Sequence, residues 1–210
     1  MTKNDDPRRK EILKAAAELF FEQGFSKTSI DSIIDRVGGS KRTIYALFGN
    51  KAGLFKEIIR DNSEQLFNAP VHAPGDTHQI EEALEGFALR LLEMITNPRA
   101  RGIYKLVTRE ASLFPELGQI YFELGPKRGR KWLAETLAKA HEEGKVSVEN
   151  PELAAAHFLG MVRGDLMLEL LLENAETPGR EDIRLRAKSA TRVFLDGVRA
   201  THGTEQSQGL

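Results

Sequence analysis

Apolar residues recur along the chain at intervals of three to four positions, a spacing typical of amphipathic α-helices. The first such stretch has a start signal, Asp6 followed by Pro7, and a stop signal, Gly24. Its apolar face consists of Ile12, Ala16, Leu19 and Phe20. The same periodicity continues through the chain, and no segment shows the strict alternation of a β-strand. The pattern therefore predicts an all-α fold.

Proline and glycine divide the rest of this pattern into separate helices. The predicted helices span residues 41–48, 51–67, 78–95, 98–112, 115–124, 126–143, 151–173 and 181–200. The stretch APVHAPGDT, residues 69–77, predicts a loop, and the polar tail THGTEQSQGL predicts disorder.

Two short helices before residue 50 are separated by a pair of glycines. Thr28 and Asp31 have the spacing of a capping box at the start of the first helix. Its apolar face consists of Ile30, Ile33, Ile34 and Val37. Gly38 and Gly39 end this helix, and Ser40 is a suitable N-cap for the next. Two helices joined in this way indicate a helix-turn-helix, whose second helix enters the major groove of DNA.

The second of these helices has two chemically different sides. At about 100° per residue, Ile44, Leu47 and Phe48 fall on the side predicted to pack on the core. The opposite arc consists of Lys41, Arg42, Thr43, Tyr45 and Ala46. Arginine can read guanine through two hydrogen bonds, a threonine or alanine methyl can contact thymine, and tyrosine can donate to phosphate. The alternative is a solvated basic face on an ordinary helical bundle.

Charge is distributed unevenly along the chain. Residues 1–60 hold twelve Lys/Arg and eight Asp/Glu, a net +4, whereas residues 61–210 hold eighteen and twenty-three, a net −5. The basic part therefore coincides with the predicted helix-turn-helix. The N-terminus has no apolar run typical of a signal peptide, and no stretch approaches the length of a membrane span, so we expect a cytoplasmic protein.

The sequence does not predict an enzyme, a cofactor or a metal site. There is no cysteine, and the five histidines, at positions 72, 78, 141, 157 and 202, lack the spacing of a zinc motif. The run Gly38-Gly39-Ser40-Lys41 also lacks the spacing of a phosphate-binding loop. An all-helical scaffold protein is the non-enzyme alternative to a DNA-binding protein.

The run TSIDSIIDRVGGSKRTIYALFGNKAGLF, residues 28–55, resembles the DNA-binding segment of tetracycline-repressor (TetR) family regulators. The matching positions are Thr28, Ile33, Gly38, Ser40, Thr43, Tyr45, Phe48, Lys51 and Leu54. The upstream run ILKAAAELFFEQGF resembles the first helix of that family. The runs LFPELGQIYFELGPKRGRKWL and NPELAAAHFLGMVRGDL are similar to the AefR-like class of C-terminal domain.

The resemblance implies a helix-turn-helix domain over residues 1–52, a helical ligand-binding and dimerisation domain over 53–203, and a disordered tail over 204–210. It implies a sequence-specific transcriptional regulator, a repressor of an inverted-repeat operator that a small apolar or amphipathic ligand releases from double-stranded DNA. The alternative is a constitutive DNA-binding or scaffold protein without ligand control.

The resemblance also assigns roles to individual DNA-binding residues. Thr28 and Tyr45 resemble the family's phosphate contacts, and Lys51 is placed to grip phosphate at the start of the next helix. Lys41, Arg42 and Thr43 resemble base readers. The chain departs from the family pattern at two core positions. Ile34 stands where alanine is usual and Gly39 where an apolar residue is usual, which we interpret as a swap that conserves core volume.

Two predicted helices carry small residues at a spacing suited to close helix packing. They are Ala156, Gly160 and Gly164 in helix 151–173, and Ala187, Ala190, Phe194 and Gly197 in helix 181–200. Glycine within a helix costs about 1 kcal/mol against alanine, and a closely approaching helix offsets that cost. We expect these stripes to form a four-helix homodimer interface, as in the family. Packing within one chain is the alternative.

Large apolar side chains in the C-terminal part are candidates for the ligand site. They are Phe87, Leu91, Met94, Tyr104, Trp132, Phe158 and Met161, with Arg163 as a partner for an anionic group. For most of these side chains plain core is the favoured alternative, and for Arg163 and Asp165 the favoured alternative is pairing with other side chains.

Overall fold

The computed structural model describes residues 6–67, 77–172 and 176–198, and all regular elements in these ranges are α-helices. They are α1 (Pro7–Gln23), α2 (Ile30–Val37), α3 (Lys41–Phe48), α4 (Lys51–Phe67), α5 (Thr77–Thr96), α6 (Pro98–Glu110), α7 (Pro115–Leu124), α8 (Pro126–Glu142), α9 (Pro151–Arg163), α10 (Leu166–Leu171) and α11 (Arg180–Val198). The all-α prediction is confirmed. Within the described ranges, no helix is both long and apolar enough to cross a membrane.

Three helices begin with the same local device. Asp6, Asn97 and Asn150 are the N-caps of α1, α6 and α9, and each precedes a proline at the first helical position. Each side chain accepts a hydrogen bond from a backbone N–H of the first turn, at 2.9, 2.8 and 3.0 Å. The missing N–H of proline costs nothing at this position, so these pairs are strong start signals.

Within the described residues, the structure divides the predicted helix 151–173 into two helices. Gly164 has φ +46° and ends α9, and Asp165 separates it from α10. Glycine adopts this left-handed conformation without the steric cost that other residues meet, so it ends the helix instead of continuing its small-residue stripe. The other predicted helix ends that fall on described residues lie within two residues of the observed ones, and the predicted end at residue 200 lies outside the described residues. Residues 68–76, residue 173 and the predicted disordered tail lie outside the described residues.

The chain divides into two packing units, and the first contains the helix-turn-helix. It comprises the described residues up to 67, residues 93–128 and the described residues of 168–176. One apolar core joins α1–α4 to α6 and α7, and Phe25 lies within it, with ring centroids 5.3 Å from Phe20, 6.2 Å from Phe55 and 5.2 Å from Phe114. This core continues across residue 52, where a domain boundary is predicted; that boundary remains a prediction.

The second unit contains most of α5, most of α8, α9 and α11. α9 and α11 pack against each other, and the rings of Phe158 and Phe194 meet there at a centroid distance of 5.1 Å. Phe87 on α5 stacks on Trp132 of α8 at 4.9 Å. These aromatic pairs supply buried apolar area and fix the helix positions.

Candidate DNA-binding surface

The start of α2 is set by Ser29 rather than by the predicted pair of Thr28 and Asp31. The Ser29 hydroxyl accepts from the Ser32 N–H at 3.0 Å, and the Ser32 hydroxyl accepts from the Ser29 N–H at 3.1 Å. The predicted capping box is therefore wrong by one position, because the reciprocal bonds form between two serines.

Thr28 lies inside the molecule, with 1% of its surface exposed. Its hydroxyl donates to the Gly24 carbonyl at 2.8 Å and accepts from the Gln23 side-chain amide at 3.3 Å. The structure thus gives this side chain a role in the turn after α1, in place of the predicted phosphate contact.

Two buried residues hold α3 on the core. Ile44 and Phe48 are 2% and 7% exposed, and they occupy the inner side of this eight-residue helix. Leu47 is 39% exposed, so the predicted packing of this residue on the core is wrong. It follows Ile44 by three positions, about 300° around the helix, and lies at the edge of the inner side. The N-cap prediction is confirmed, since the Ser40 hydroxyl accepts from the Thr43 N–H at 3.2 Å.

The outer side of α3 brings together the residues predicted to touch DNA. The exposed residues are Lys41, Arg42, Thr43, Tyr45 and Ala46. The Lys41 ammonium lies 2.9 Å from the Asp31 carboxylate, and this hydrogen bond raises the pKa of Lys41. Both side chains are more than half exposed, so the pair is worth little and can open to a phosphate. This side of α3 exposes cationic and hydroxyl side chains, while Ile44 and Phe48 on its other side are buried in the core.

Lys51, predicted to grip phosphate, is turned inward toward the loop between α1 and α2, residues 24–29, which we call the α1–α2 loop. Its ammonium donates to the backbone carbonyls of Phe25 at 2.7 Å and Thr28 at 2.9 Å. It also lies 4.4 Å from the centroid of the Phe25 ring. Burial lowers the pKa of Lys51, and the charge of Glu110 partly opposes that change. In this structure the ammonium of Lys51 holds a loop, and its phosphate contact stays a prediction.

A residue that the sequence reasoning missed holds the same loop from the other side. Glu110, the last residue of α6, is 7% exposed. Its carboxylate accepts from the backbone N–H of Phe25 at 3.0 Å and of Ser26 at 2.9 Å. Gly24 leaves room for it, because a Cβ there would lie 2.3 Å from a carboxylate oxygen. We call Lys51 and Glu110 together the loop clamp.

One feature of the sequence points to Glu110. The last turn of a helix favours cations, because the carbonyl end of the helix dipole is negative. A glutamate at the end of α6 opposes that preference, so an additional partner is expected. The partners are about 85 positions earlier in the chain, and helical periodicity carries no information about them.

The predicted ligand residues of the second unit lie in two places, on α5 and α8 and on α9. Phe87 and Trp132 stack nearly parallel, with 7° between ring planes, and Leu91 is buried on the same helix as Phe87. Phe158 is completely buried against Phe194, so it belongs to the core between α9 and α11.

Two predicted ligand residues at the end of α9 lie on the surface. Met161 and Arg163 are exposed, and the Arg163 guanidinium donates to the Leu159 carbonyl of its own helix at 3.1 Å. Neither lies among the buried apolar residues of its unit. In the first unit, Met94 and Tyr104 are half-buried, and Tyr104 meets Tyr121 edge to face at 6.0 Å.

The predicted dimer stripe of α9 is only partly retained. Gly160 is exposed, and a Cβ added there would meet no described atom within 4 Å, so packing within the chain does not explain it. Ala156 is half-buried. Gly164 is exposed but ends the helix, as described above.

On α11, part of the predicted dimer stripe faces the interior of its own chain. Ala187 and Phe194 are buried within their own chain, Ala190 is half-buried, and only Gly197 is exposed. The inward residues follow the face that packs on α9. Large apolar side chains instead lie on the outer faces: Leu153 and Met161 on α9, and Leu185 and Val193 on α11.

Two family models match the chain, one over each part. The model described as bacterial regulatory proteins, tetR family, matches residues 12–58. The model described as AefR-like transcriptional repressor, C-terminal domain, matches residues 82–197.

Known proteins with similar sequences are regulators of transcription by their names. The uncharacterized HTH-type transcriptional regulator YvkB of Bacillus subtilis is 24% identical over 194 residues, which cover 92% of this chain and 98% of that protein. The HTH-type transcriptional repressor KstR2 of Mycobacterium tuberculosis is 28% identical over 138 residues, covering 65% and 68%.

Solved structures show the same similarity in three dimensions. The flavonoid-responsive regulator FrrA is 32% identical, with a TM-score of 0.76, over 91% of this chain and 97% of that one. A TetR transcriptional regulator from Agrobacterium tumefaciens is 25% identical, with a TM-score of 0.75, over 92% and 95%.

Proposed function

The chain belongs to the TetR family of bacterial transcriptional regulators, with a C-terminal domain of the AefR-like class, and from that premise we propose a dimeric repressor that a small ligand releases from an inverted-repeat operator. Regulators of this family bind DNA and are not enzymes. A DNA partner is the reason we place its action in the cytoplasm.

The exposed outer side of α3 is the observation that carries the DNA-binding proposal. Arg42 is an exposed guanidinium that suits two hydrogen bonds to guanine. Lys41 and Thr43, on the same exposed side, are the other two residues proposed to contact bases, and the hydroxyl of the exposed Tyr45 can donate a hydrogen bond to a phosphate. The backbone N–H groups at the start of α4 can add a phosphate contact that needs no side chain from Lys51.

The outer faces of α9 and α11 support a homodimer. Leu153, Met161, Leu185 and Val193 are exposed large apolar side chains on two helices that pack together. The open space above Gly160 would let a second helix approach closely. A symmetric pair of these faces gives a four-helix interface, and the two-fold axis then presents one α3 to each half-site.

Two observations support an apolar or amphipathic effector: the aromatic surface of the second unit and the name of one similar regulator. Phe87 and Trp132 provide stacked aromatic surface, and Leu91 adds aliphatic surface. The similar regulator FrrA is flavonoid-responsive by its name, and flavonoids are aromatic amphipathic compounds. We expect the effector of this chain to be of that general kind. The exposure of Arg163 argues against its proposed role as the partner of an anionic group.

The loop clamp suggests how a ligand would act on DNA binding. The α1–α2 loop leads directly into α2, and it is held by Lys51 of α4 and Glu110 of α6. A ligand that favours another position of α4 or α6 would shift this loop, and with it the helix-turn-helix. Differential binding to the two arrangements would then change operator affinity.

Reciprocal binding measurements test ligand control. Flavonoids, fatty acids and aromatic acids would be screened for release of a fluorescent operator, and Kd for the active compound would be measured with free and operator-bound protein. A compound that weakens DNA binding must itself bind more weakly to the DNA complex, by the same factor. Equal ligand affinity in both states would support the alternative, a constitutive DNA-binding protein.

A further inference from the structure

The turn between α2 and α3 has little rigidity of its own. Gly38 and Gly39 are consecutive, with φ +72° and +99°. Glycine has the widest conformational freedom of any residue, so two in succession leave the direction of the next helix weakly determined. Ile44 and Phe48 hold the body of α3 on the core, but neither lies in the turn, so a contact made by the turn itself would further define the angle of α3.

Arg8 makes that contact from the first turn of α1. Its guanidinium Nη2 donates a hydrogen bond to the Gly38 carbonyl, thirty positions along the chain. Its Nη1 lies 2.6 Å from the Glu11 carboxylate, which holds the guanidinium from the other end. The contact thus ties the turn to a helix whose inner face is buried in the core.

The absent side chain at position 39 leaves the space that the end of this guanidinium occupies. A Cβ on Gly39 would lie 2.8 Å from Arg8 Nη2, closer than real Cβ contacts come. The volume swap interpreted from the sequence is therefore wrong. Arg8, not Ile34, occupies the space beside Gly39, and Ile34 remains half-buried against the core.

We propose that Arg8 is a positioning residue for DNA recognition, which fixes the α2–α3 turn in place of a side chain at position 39. It acts through the turn and does not itself read DNA. This inference rests on the proposed role of α3 in binding DNA. Loss of Arg8 should therefore reduce discrimination between sequences more than it reduces attraction to DNA in general.

The experiment must separate this role from a phosphate contact, because Arg8 is a partly exposed cation close to the start of α3. A phosphate contact contributes to every sequence and to the salt dependence, whereas a positioning residue contributes only to the specific complex. Arg8→Ala would be compared with Lys14→Ala, which removes an exposed cation from the same helix. Kd would be measured for the selected operator and for a scrambled duplex across a salt series.

We expect Arg8→Ala to weaken operator binding roughly five- to twentyfold, less than loss of a buried charged hydrogen bond would, because the Arg8 side chain is 36% exposed. The scrambled duplex and the salt slope should change no more than in Lys14→Ala. An equal loss for both duplexes, with a slope reduced by about one unit per subunit, would make Arg8 a phosphate contact and overturn the inference. Operator binding equal to that of Lys14→Ala would also overturn it.

A measurement on the free protein distinguishes this inference from the proposed function. Amide hydrogen exchange at Gly38 and Thr43, whose N–H groups donate to the Ile34 and Ser40 carbonyls on either side of the turn, should be faster in Arg8→Ala, while exchange in the core of α1 stays as in Lys14→Ala. Unchanged exchange at the turn would contradict the inference even if DNA binding fell. Absence of any operator preference in the wild-type protein would contradict the proposed function instead.

Discussion

Replacing Glu110 by alanine removes one side of the loop clamp. Its carboxylate accepts from two backbone N–H groups, of Phe25 at 3.0 Å and Ser26 at 2.9 Å. A hydrogen bond to a charged group contributes about 1.5–3 kcal/mol, and a buried N–H left unpaired costs about 1–3 kcal/mol. The Phe25 bond is buried, whereas the Ser26 bond is only partly buried and water can replace it. We therefore expect a loss of about 2–4 kcal/mol in the free energy of unfolding.

Thermal and urea unfolding at one fixed protein concentration would measure this loss, since stability of a dimer depends on concentration. For a chain of this length, the expected loss corresponds to a fall in Tm of about 4–15 °C. Glu123→Ala is the matched control, because Glu123 is an exposed carboxylate paired with Lys127 at 2.7 Å in the same unit. Its Tm should stay within about 1–2 °C of the wild type, as expected of an exposed pair.

Glu110→Gln refines the test, because it retains one acceptor oxygen and loses the charge. It should fall between the wild type and Glu110→Ala. If Glu110→Ala unfolds at the same temperature as Glu123→Ala, the loop clamp does not stabilise the fold, and the coupling of α6 to the helix-turn-helix loses its physical basis.

Three further predictions follow from the same contacts. Arg42→Ala should relax preference at one base pair of the operator by about 1–3 kcal/mol in a competition assay, and uniform weakening at all positions would make Arg42 a phosphate contact. Lys51→Met should lower Tm and leave the salt slope of DNA binding unchanged, because the Lys51 ammonium donates to backbone carbonyls of the α1–α2 loop. A salt slope flattened by about one unit would instead show that Lys51 contacts phosphate. Gly160→Leu should shift the dimer toward monomer in analytical ultracentrifugation, whereas the control Gln119→Leu, on the exposed side of α7, should leave it unchanged. If Gly160→Leu dimerises as the wild type does, the interface lies elsewhere.

The helices could be predicted from the sequence because their signals are local. Start pairs such as Asn97-Pro98 and stop residues such as Gly24 act within one turn, and the apolar periodicity needs no partner. The outer side of α3 was predictable for the same reason, since Ile44 and Phe48 fix which side faces inward.

The loop clamp was not predictable because its partners are distant in sequence. The family resemblance assigned phosphate to Lys51, and only the folded chain places its ammonium on the carbonyls of the α1–α2 loop. The same limit applies to α11. It carries apolar residues on more than one side, and the predicted dimer stripe placed Phe194 outward, whereas the structure buries Phe194 and exposes Val193. Packing against α9 decides which residue faces outward.

Selection of bound sequences from random DNA duplexes is the most direct test of recognition through a pair of α3 helices. The wild-type protein should enrich one motif with two-fold symmetry, whose half-sites are about one helical turn or a multiple of it apart. Arg42→Ala should yield the same motif with one position in each half-site relaxed. A motif without two-fold symmetry would contradict the dimer, and a motif unchanged by Arg42→Ala would contradict the recognition surface on α3.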